Sequence, residues 1–233
     1  MNPPTSPLQT IPLLRDFTPQ DWRRFHELAP VRAYRPGNAL FYQGREPLGL
    51  HFIVRGRVKL VKEDRDGRRQ IVRIAQGPDF LGDRAFFAEK PYACTGEVMA
   101  DSEISFLPSA RFWEFFGRYP NMNRLIAQRF AVELGRAEDY MHCLTVCTIN
   151  TRMAARLLKS LKLSKPERAA KGEFELAESR TELAQVLGTT PEAVSRALAA
   201  LCVKNVIAVS GRRVRVLNEE RLRRCACLHD SSN

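Results

Sequence analysis

The stretch Asn121–Thr148 holds no proline and a single glycine, Gly135, in a chain with 14 prolines and 13 glycines. An interval that long without helix breakers predicts one long helix. Its apolar residues Ile126, Phe130, Leu134, Ala137, Met141 and Leu144 follow one another at steps of four, four, three, four and three. That spacing keeps one apolar seam along the helix, as a two-stranded coiled coil requires. A small domain covers only part of such a seam, so a second copy of the chain is expected against it, giving a homodimer.

Ahead of this helix the pattern is different. Residues 1–17 open on a proline-rich run and are expected to be flexible. Thr18-Pro19 reads as a helix start, with Trp22, Phe25 and Leu28 recurring on one face. From Val31 onward come short strands, among them Ala39–Tyr42, Leu50–Val54, Val58–Val61, Ile71–Ile74 and Ile104–Leu107. They are separated by turn signals at Pro36-Gly37, Gly44, Gly56, Asp66-Gly67 and Gly77-Pro78. Many short strands punctuated by glycine point to a barrel or a jelly roll. Ser109–Phe116 reads as a short helix after Pro108. The expected fold class is α+β, divided into a flexible lead (1–17), a β domain (18–119), the long helix (120–149) and a C-terminal domain (150–233).

Within the C-terminal domain, Thr181–Leu187 is a short amphipathic helix ended by Gly188. Thr190 can cap a second helix with Pro191 in its first turn and Val194, Ala197, Leu198 and Leu201 inside. Two short helices about a glycine turn make a helix-turn-helix. The second helix shows Glu192, Ser195 and Arg196 on its outer face. Arginine can pair with guanine O6 and N7, glutamate can accept from cytosine N4, and serine adapts to either role. Val206–Val209 and Val214–Leu217 then flank Ser210-Gly211-Arg212-Arg213, a hairpin whose basic tip suits phosphate contacts.

The charge agrees with a polyanionic partner. The net charge is +11, and from Asn150 onward sixteen Lys/Arg face nine Asp/Glu. No apolar run is long enough to span a membrane, and Met1–Thr10 lacks the basic and apolar regions of a secretory leader, so a cytoplasmic setting is expected. The six cysteines are then expected to be thiols rather than a disulfide frame. No Ser-His-Asp, HExxH, phosphate-loop or paired-carboxylate motif stands out, so an enzyme is not expected. A ligand-binding protein that does not touch DNA is a distant alternative, opposed by the wing and the Glu192/Ser195/Arg196 face.

At these residues the chain resembles the CRP/FNR family of transcription regulators. Leu50-His51-Phe52-Ile53-Val54-Arg55-Gly56-Arg57-Val58 and Gly77-Pro78-Asp79-Phe80-Leu81-Gly82-Asp83 are similar to that family's sensor domain. Arg180-Thr181-Glu182-Leu183-Ala184 and Glu192-Ala193-Val194-Ser195-Arg196 are similar to its helix-turn-helix. The resemblance implies a jelly-roll sensor, a long dimerisation helix, a winged helix-turn-helix, double-stranded DNA as the ligand and RNA polymerase as a further partner. It also implies that Glu192, Ser195 and Arg196 read bases in a palindrome resembling TTGA…TCAA, with Arg180 and Thr190 at phosphate-contacting positions.

The effector is less defined. The family's cyclic-nucleotide pocket needs an Arg-Ser pair after a Gly-Glu motif, whereas this chain has Gly82-Asp83 and then Tyr92-Ala93, which disfavours cAMP. The first cysteine is Cys94, which disfavours an N-terminal iron–sulfur cluster. Phe80, Leu81, Phe86, Phe87, Tyr92 and Cys94 are expected to line an apolar pocket for a planar ligand. The pattern is similar to the haem-dependent nitric-oxide regulators of the family, the Dnr and HcpR groups, with His26, His51, His142 and the cysteines as candidate axial ligands. Thiol redox is the alternative, since Cys143 and Cys147 lie one helical turn apart beside His142.

Overall fold

Thr18 accepts the backbone N–H of Asp21 while the Asp21 carboxylate accepts that of Thr18, so helix α1 (Pro19–Leu28) starts with reciprocal caps. Pro19 takes the first position, where its missing N–H is no loss. The computed structural model describes residues 6–226.

After α1 come eight strands: β1 (Val31–Tyr34), β2 (Ala39–Phe41), β3 (Gly49–Arg55), β4 (Arg57–Glu63), β5 (Arg69–Gln76), β6 (Asp79–Leu81), β7 (Thr95–Val98) and β8 (Ser102–Pro108). They form two antiparallel four-stranded sheets, ordered β1-β8-β3-β6 and β2-β7-β4-β5, which is a jelly roll. The expected hairpin at Asp66-Gly67 joins β4 to β5, with the Asp64 carboxylate accepting from the N–H groups of Asp66 and Arg68. Helix α2 (Asp83–Ala88) follows β6, and helix α3 (Ser109–Phe116) follows β8.

Strand β3 is buried on both faces from Gly49 to Val54. One face, with Ile53, meets the opposite sheet; the other, with Leu50, Phe52 and Val54, meets a helical layer built on Phe25, Phe112 and Phe116. This double cover explains why β3 reads as a continuous apolar run rather than an alternation. Phe25, Phe52, Phe112 and Phe116 are fully enclosed, and burying one such ring contributes about 2–3 kcal/mol.

The expectation of a flexible lead over 1–17 is corrected from residue 6 onward. Pro7–Thr10 and Pro12–Leu14 are 3-10 turns that bury Leu8, Leu13 and Leu14, and Phe17 stacks on Tyr119. The prolines fix these turns rather than preventing packing. Residues 1–5 lie outside the described part.

Helix α4 (Met122–Val146) is the long helix expected over 121–148. The chain divides within it, between Phe130 and Ala131, where the expectation had set 120–149 apart as a segment of its own. The C-terminal unit continues with α5 (Ile149–Lys162), α6 (Pro166–Ala169), β9 (Glu173–Glu175), α7 (Arg180–Leu187), α8 (Pro191–Val203), β10 (Ile207–Ser210), β11 (Arg213–Val216) and α9 (Glu219–Cys225). The wing hairpin gains a third strand, in the order β10-β11-β9. Strand β9 had no separate sequence signal, because three residues between charged loops show no period.

Candidate nucleic-acid interface and sensor pocket

Ser179 and Glu182 form a capping box at the start of α7. Gly188 closes that helix in the left-handed region, at φ 60°, a conformation that costs a side-chain-bearing residue about 1–2 kcal/mol. Thr190 caps α8 by accepting the Ala193 N–H. Leu183, Leu187, Val194 and Leu198 close one core beneath both helices, so α8 has a fixed inner face. Its outer face leaves Glu192, Ser195 and Arg196 exposed together. The Glu192 carboxyl is held below its usual range by its own backbone N–H, the Thr190 hydroxyl and Arg196. The Ser195 hydroxyl donates to the Pro191 carbonyl at 3.0 Å.

The expected phosphate contacts divide into two kinds. Arg213, at the start of β11, is exposed. Arg212 instead braces the wing, donating to the carbonyls of Leu176 and Ala177. Arg180 is the first residue of α7 rather than preceding it, and it donates to the carbonyl of Gly211 at the wing tip. A buried Arg156–Glu178 ion pair, missed from the sequence, lies behind the loop that leads into α7. Nothing in the local pattern marks it, because its partners come from α5 and a loop 22 residues on.

Along α4, Leu134 and Met141 are about three-fifths exposed and Ala137 is exposed, while Leu144 is half-buried. Ile126 and Phe130 lean on their own sensor unit: Ile126 packs on the aromatic core, and the Phe130 ring meets Phe87 edge-on.

The six residues expected to line one pocket are not brought together. Leu81, Tyr92 and Cys94 face the space between the sheets, whereas Phe80, Phe86 and Phe87 pack in the aromatic core on the other side. Alternation along β6 sends Phe80 and Leu81 to opposite faces. Tyr92 stacks on Phe41 with ring centroids 4.1 Å apart. His51 lies beside Phe41 and Phe106, and its buried Nδ1 has no hydrogen-bond partner. Burial pushes the His51 pKa down to about 4 and that of Tyr92 up to about 12. Burial also raises the Cys94 thiol, against the nearby Arg84, Arg73 and Lys62. A surface hollow of about 460 Å3 lies elsewhere, against β9, β10 and β11, and is lined by Arg168, Arg213 and Arg215 among others.

One network was not foreseen. Arg129 of α4 pairs with Asp83 at 2.8 Å and with Asp79 at 3.0 Å, donates to the Phe80 carbonyl, and lies over the Phe80 ring. Arg73 pairs with the same Asp79. Only Gly82-Asp83 hinted at it in the sequence.

The candidate metal ligands are scattered. His26 is exposed on α1 and His51 is buried in the barrel, whereas His142, Cys143 and Cys147 belong to the C-terminal unit. Among the described residues no three His, Cys, Asp or Glu side chains gather as a metal site. The expectation of thiols throughout is corrected at Cys147, which is disulfide-bonded; Cys94, Cys143, Cys202 and Cys225 are free. Cys143 and Cys147 are therefore not bonded to each other. No described helix is long and apolar enough to cross a membrane.

A jelly roll followed by a long helix and a winged helix-turn-helix defines a class, the ligand-domain transcription regulators that bind DNA. Residues 31–119 match the cyclic nucleotide-binding domain and residues 151–225 the Crp-like helix-turn-helix domain. The chain is 33% identical to a probable transcriptional activator of Rhizobium leguminosarum bv. viciae over 178 residues, covering 76% of this chain and 73% of that one. It is 24% identical to the fumarate and nitrate reduction regulatory protein of Yersinia pestis, covering 82% of this chain and 76% of that one. The solved structure of FixK2 from Bradyrhizobium japonicum superimposes with a TM-score of 0.75 at 25% identity, over 86% of this chain and 98% of that one. The chain belongs to the CRP/FNR family of DNA-binding transcription regulators. That family consists of regulators rather than enzymes.

Proposed function

We propose that the protein works as a homodimer that reads a palindromic TTGA…TCAA-type site, presenting Glu192, Ser195 and Arg196 from each copy. The observation that carries this reading is the joint exposure of those three side chains on one face of α8, which Thr190 caps. The exposed Leu134, Ala137 and Met141 seam on α4 supports the second copy. Two such helices enter successive major grooves when they sit about 34 Å apart. RNA polymerase is the further partner through which a DNA-bound regulator acts on a promoter. Fluorescence anisotropy on labelled duplexes tests the reading: the TTGA palindrome binds about a thousandfold tighter than a scrambled duplex, and equal binding to both contradicts it.

A haem-based nitric-oxide sensor does not fit the residues present. Besides the half-buried Cys94, which packs in the same core as Phe41 and Tyr92, the candidate ligand in the barrel among the described residues is the buried His51. The space beside it is filled by the Phe41–Tyr92 stack. A planar macrocycle has no slot there without expelling those rings. The second input reading, thiol redox, is favoured by the Cys147 disulfide, placed where α4 gives way to α5. On that reading the affinity for the palindrome differs between oxidised and reduced protein; identical affinity in both states contradicts it.

A further inference from the structure

A buried aromatic pair fills the interior of the barrel. Tyr92 is 5% exposed and Phe41 7%, and their rings stack between the two sheets. The Tyr92 hydroxyl lies beside the Gly49 carbonyl at 3.5 Å. It also abuts Gly82, where an added Cβ would come within 3.6 Å of it. Phe41 is pressed so closely on β7 that a Cβ at Gly96 would come within 2.8 Å of its ring. On the Phe41 side the stack therefore has no slack, while at Gly82 a Cβ would meet Tyr92 only in ordinary contact. Beside it the Asp83 carboxylate, which follows Gly82 at the start of α2, is already neutralised by Arg129 of α4.

In a ligand-gated barrel, a diffusible molecule fills the space beside this turn and satisfies its polar groups. Here a side chain of β2 and one of the segment before β7 fill it, and a cation from α4 holds the carboxylate. We infer that Tyr92, stacked on Phe41, is a built-in occupant of the sensor pocket, with Arg129 holding the neighbouring Asp83 from the Phe80 side of β6, so that DNA binding needs no cyclic nucleotide or other small-molecule effector. The inference rests on the DNA-binding reading above. An external ligand shifts an equilibrium only by its differential affinity for the two states. A ligand that must first displace two buried rings has its affinity lowered by the fraction of time the pocket is open.

The test uses the full chain, exhaustively dialysed, on the labelled palindrome. Adding millimolar cAMP or cGMP, or excess haemin, changes the affinity less than about twofold. A tightening of tenfold or more by any of them overturns the inference. So does a small molecule released on denaturation whose return restores binding. Tyr92→Gly removes the occupant and leaves a phenol-shaped void; its DNA affinity falls about tenfold or more, and saturating p-cresol brings it back to within about threefold. A folded Tyr92→Gly protein that binds DNA as tightly as the parent overturns the inference. Should that variant not fold, Arg129→Gln keeps the pocket filled but frees Asp83. It loses about tenfold in DNA affinity at a temperature where circular dichroism shows it folded, and parent-like affinity overturns the inference. A parent protein that binds only with an added effector defeats this inference alone. A parent indifferent to the palindrome in every arm defeats the DNA-binding reading as well.

Discussion

The phenol hydroxyl of Tyr140, on α4, donates to the backbone carbonyl of Val186, in the first helix of the helix-turn-helix, at 2.9 Å. Val186 lies in the last turn of α7, where carbonyls lack partners within the helix. One side chain of the long helix thus caps the first helix of the helix-turn-helix.

Replacing Tyr140 by Phe keeps the ring and removes that bond. The expected loss is about 1 kcal/mol in the stability of the C-terminal unit. Amide hydrogen exchange should quicken in Leu183–Gly188 more than in β10 and β11. Unchanged protection across α7 would contradict the assigned role.

On the proposed DNA face, Arg196→Ala removes an exposed side chain assigned to base reading and Arg213→Ala an exposed wing cation. The first is expected to weaken binding by about 1–3 kcal/mol and to relax selection at one base pair. The second weakens all sequences alike and lowers the salt slope by about one. Arg212→Ala behaves differently from both: it lowers the thermal midpoint, because its guanidinium holds the Leu176 and Ala177 carbonyls. Selection from a random operator library and salt titrations separate the three.

Introducing glutamate at Leu134 and Met141 together places charge on the exposed seam. Sedimentation should show the double variant as a monomer at concentrations where the parent is a dimer. Its circular dichroism should be unchanged, since neither side chain belongs to a described core. A variant that stays dimeric moves the interface away from this seam.

The acid sensitivity of the barrel should trace to His51. Its ring is buried between Phe41 and Phe106 with a folded pKa of about 4, below the ordinary 6.5. The unfolded chain therefore binds a proton that the folded chain refuses between those values. Stability is full above pH 6.5 and declines as the pH falls toward 4, by about 3 kcal/mol in all. Urea melts of the parent and of His51→Leu at pH 7.5, 6 and 5 check this, because the variant should lose less on acidification. Parallel losses would show that other groups govern the window.

The parts of the fold with local signals were legible in the sequence. The caps at Thr18 and Thr190, the glycine turn at Gly188 and the breaker-free run through α4 each name an element by residues close together in the chain. Glu192, Ser195 and Arg196 were equally readable, since a helix with a known inner face fixes its outer one. The sensor interior was not readable. Phe80 and Leu81 are neighbours in sequence but point to opposite faces, so an aromatic-rich segment was read as one pocket when it serves two cores. The Arg129–Asp83 pair joins residues 46 apart, and a lone arginine on a helix carries no mark of its partner. The N-terminal prolines suggested mobility because composition does not reveal that Leu8, Leu13 and Leu14 find a core.

The central claim is that two copies present their α8 faces to one duplex. Native mass spectrometry of the protein with a TTGA…TCAA palindrome and with a single half-site measures this directly. Two chains on one palindrome, with the half-site bound about a hundredfold or more weakly, is the predicted result. One chain per duplex, with equal affinity for half-site and palindrome, would contradict it.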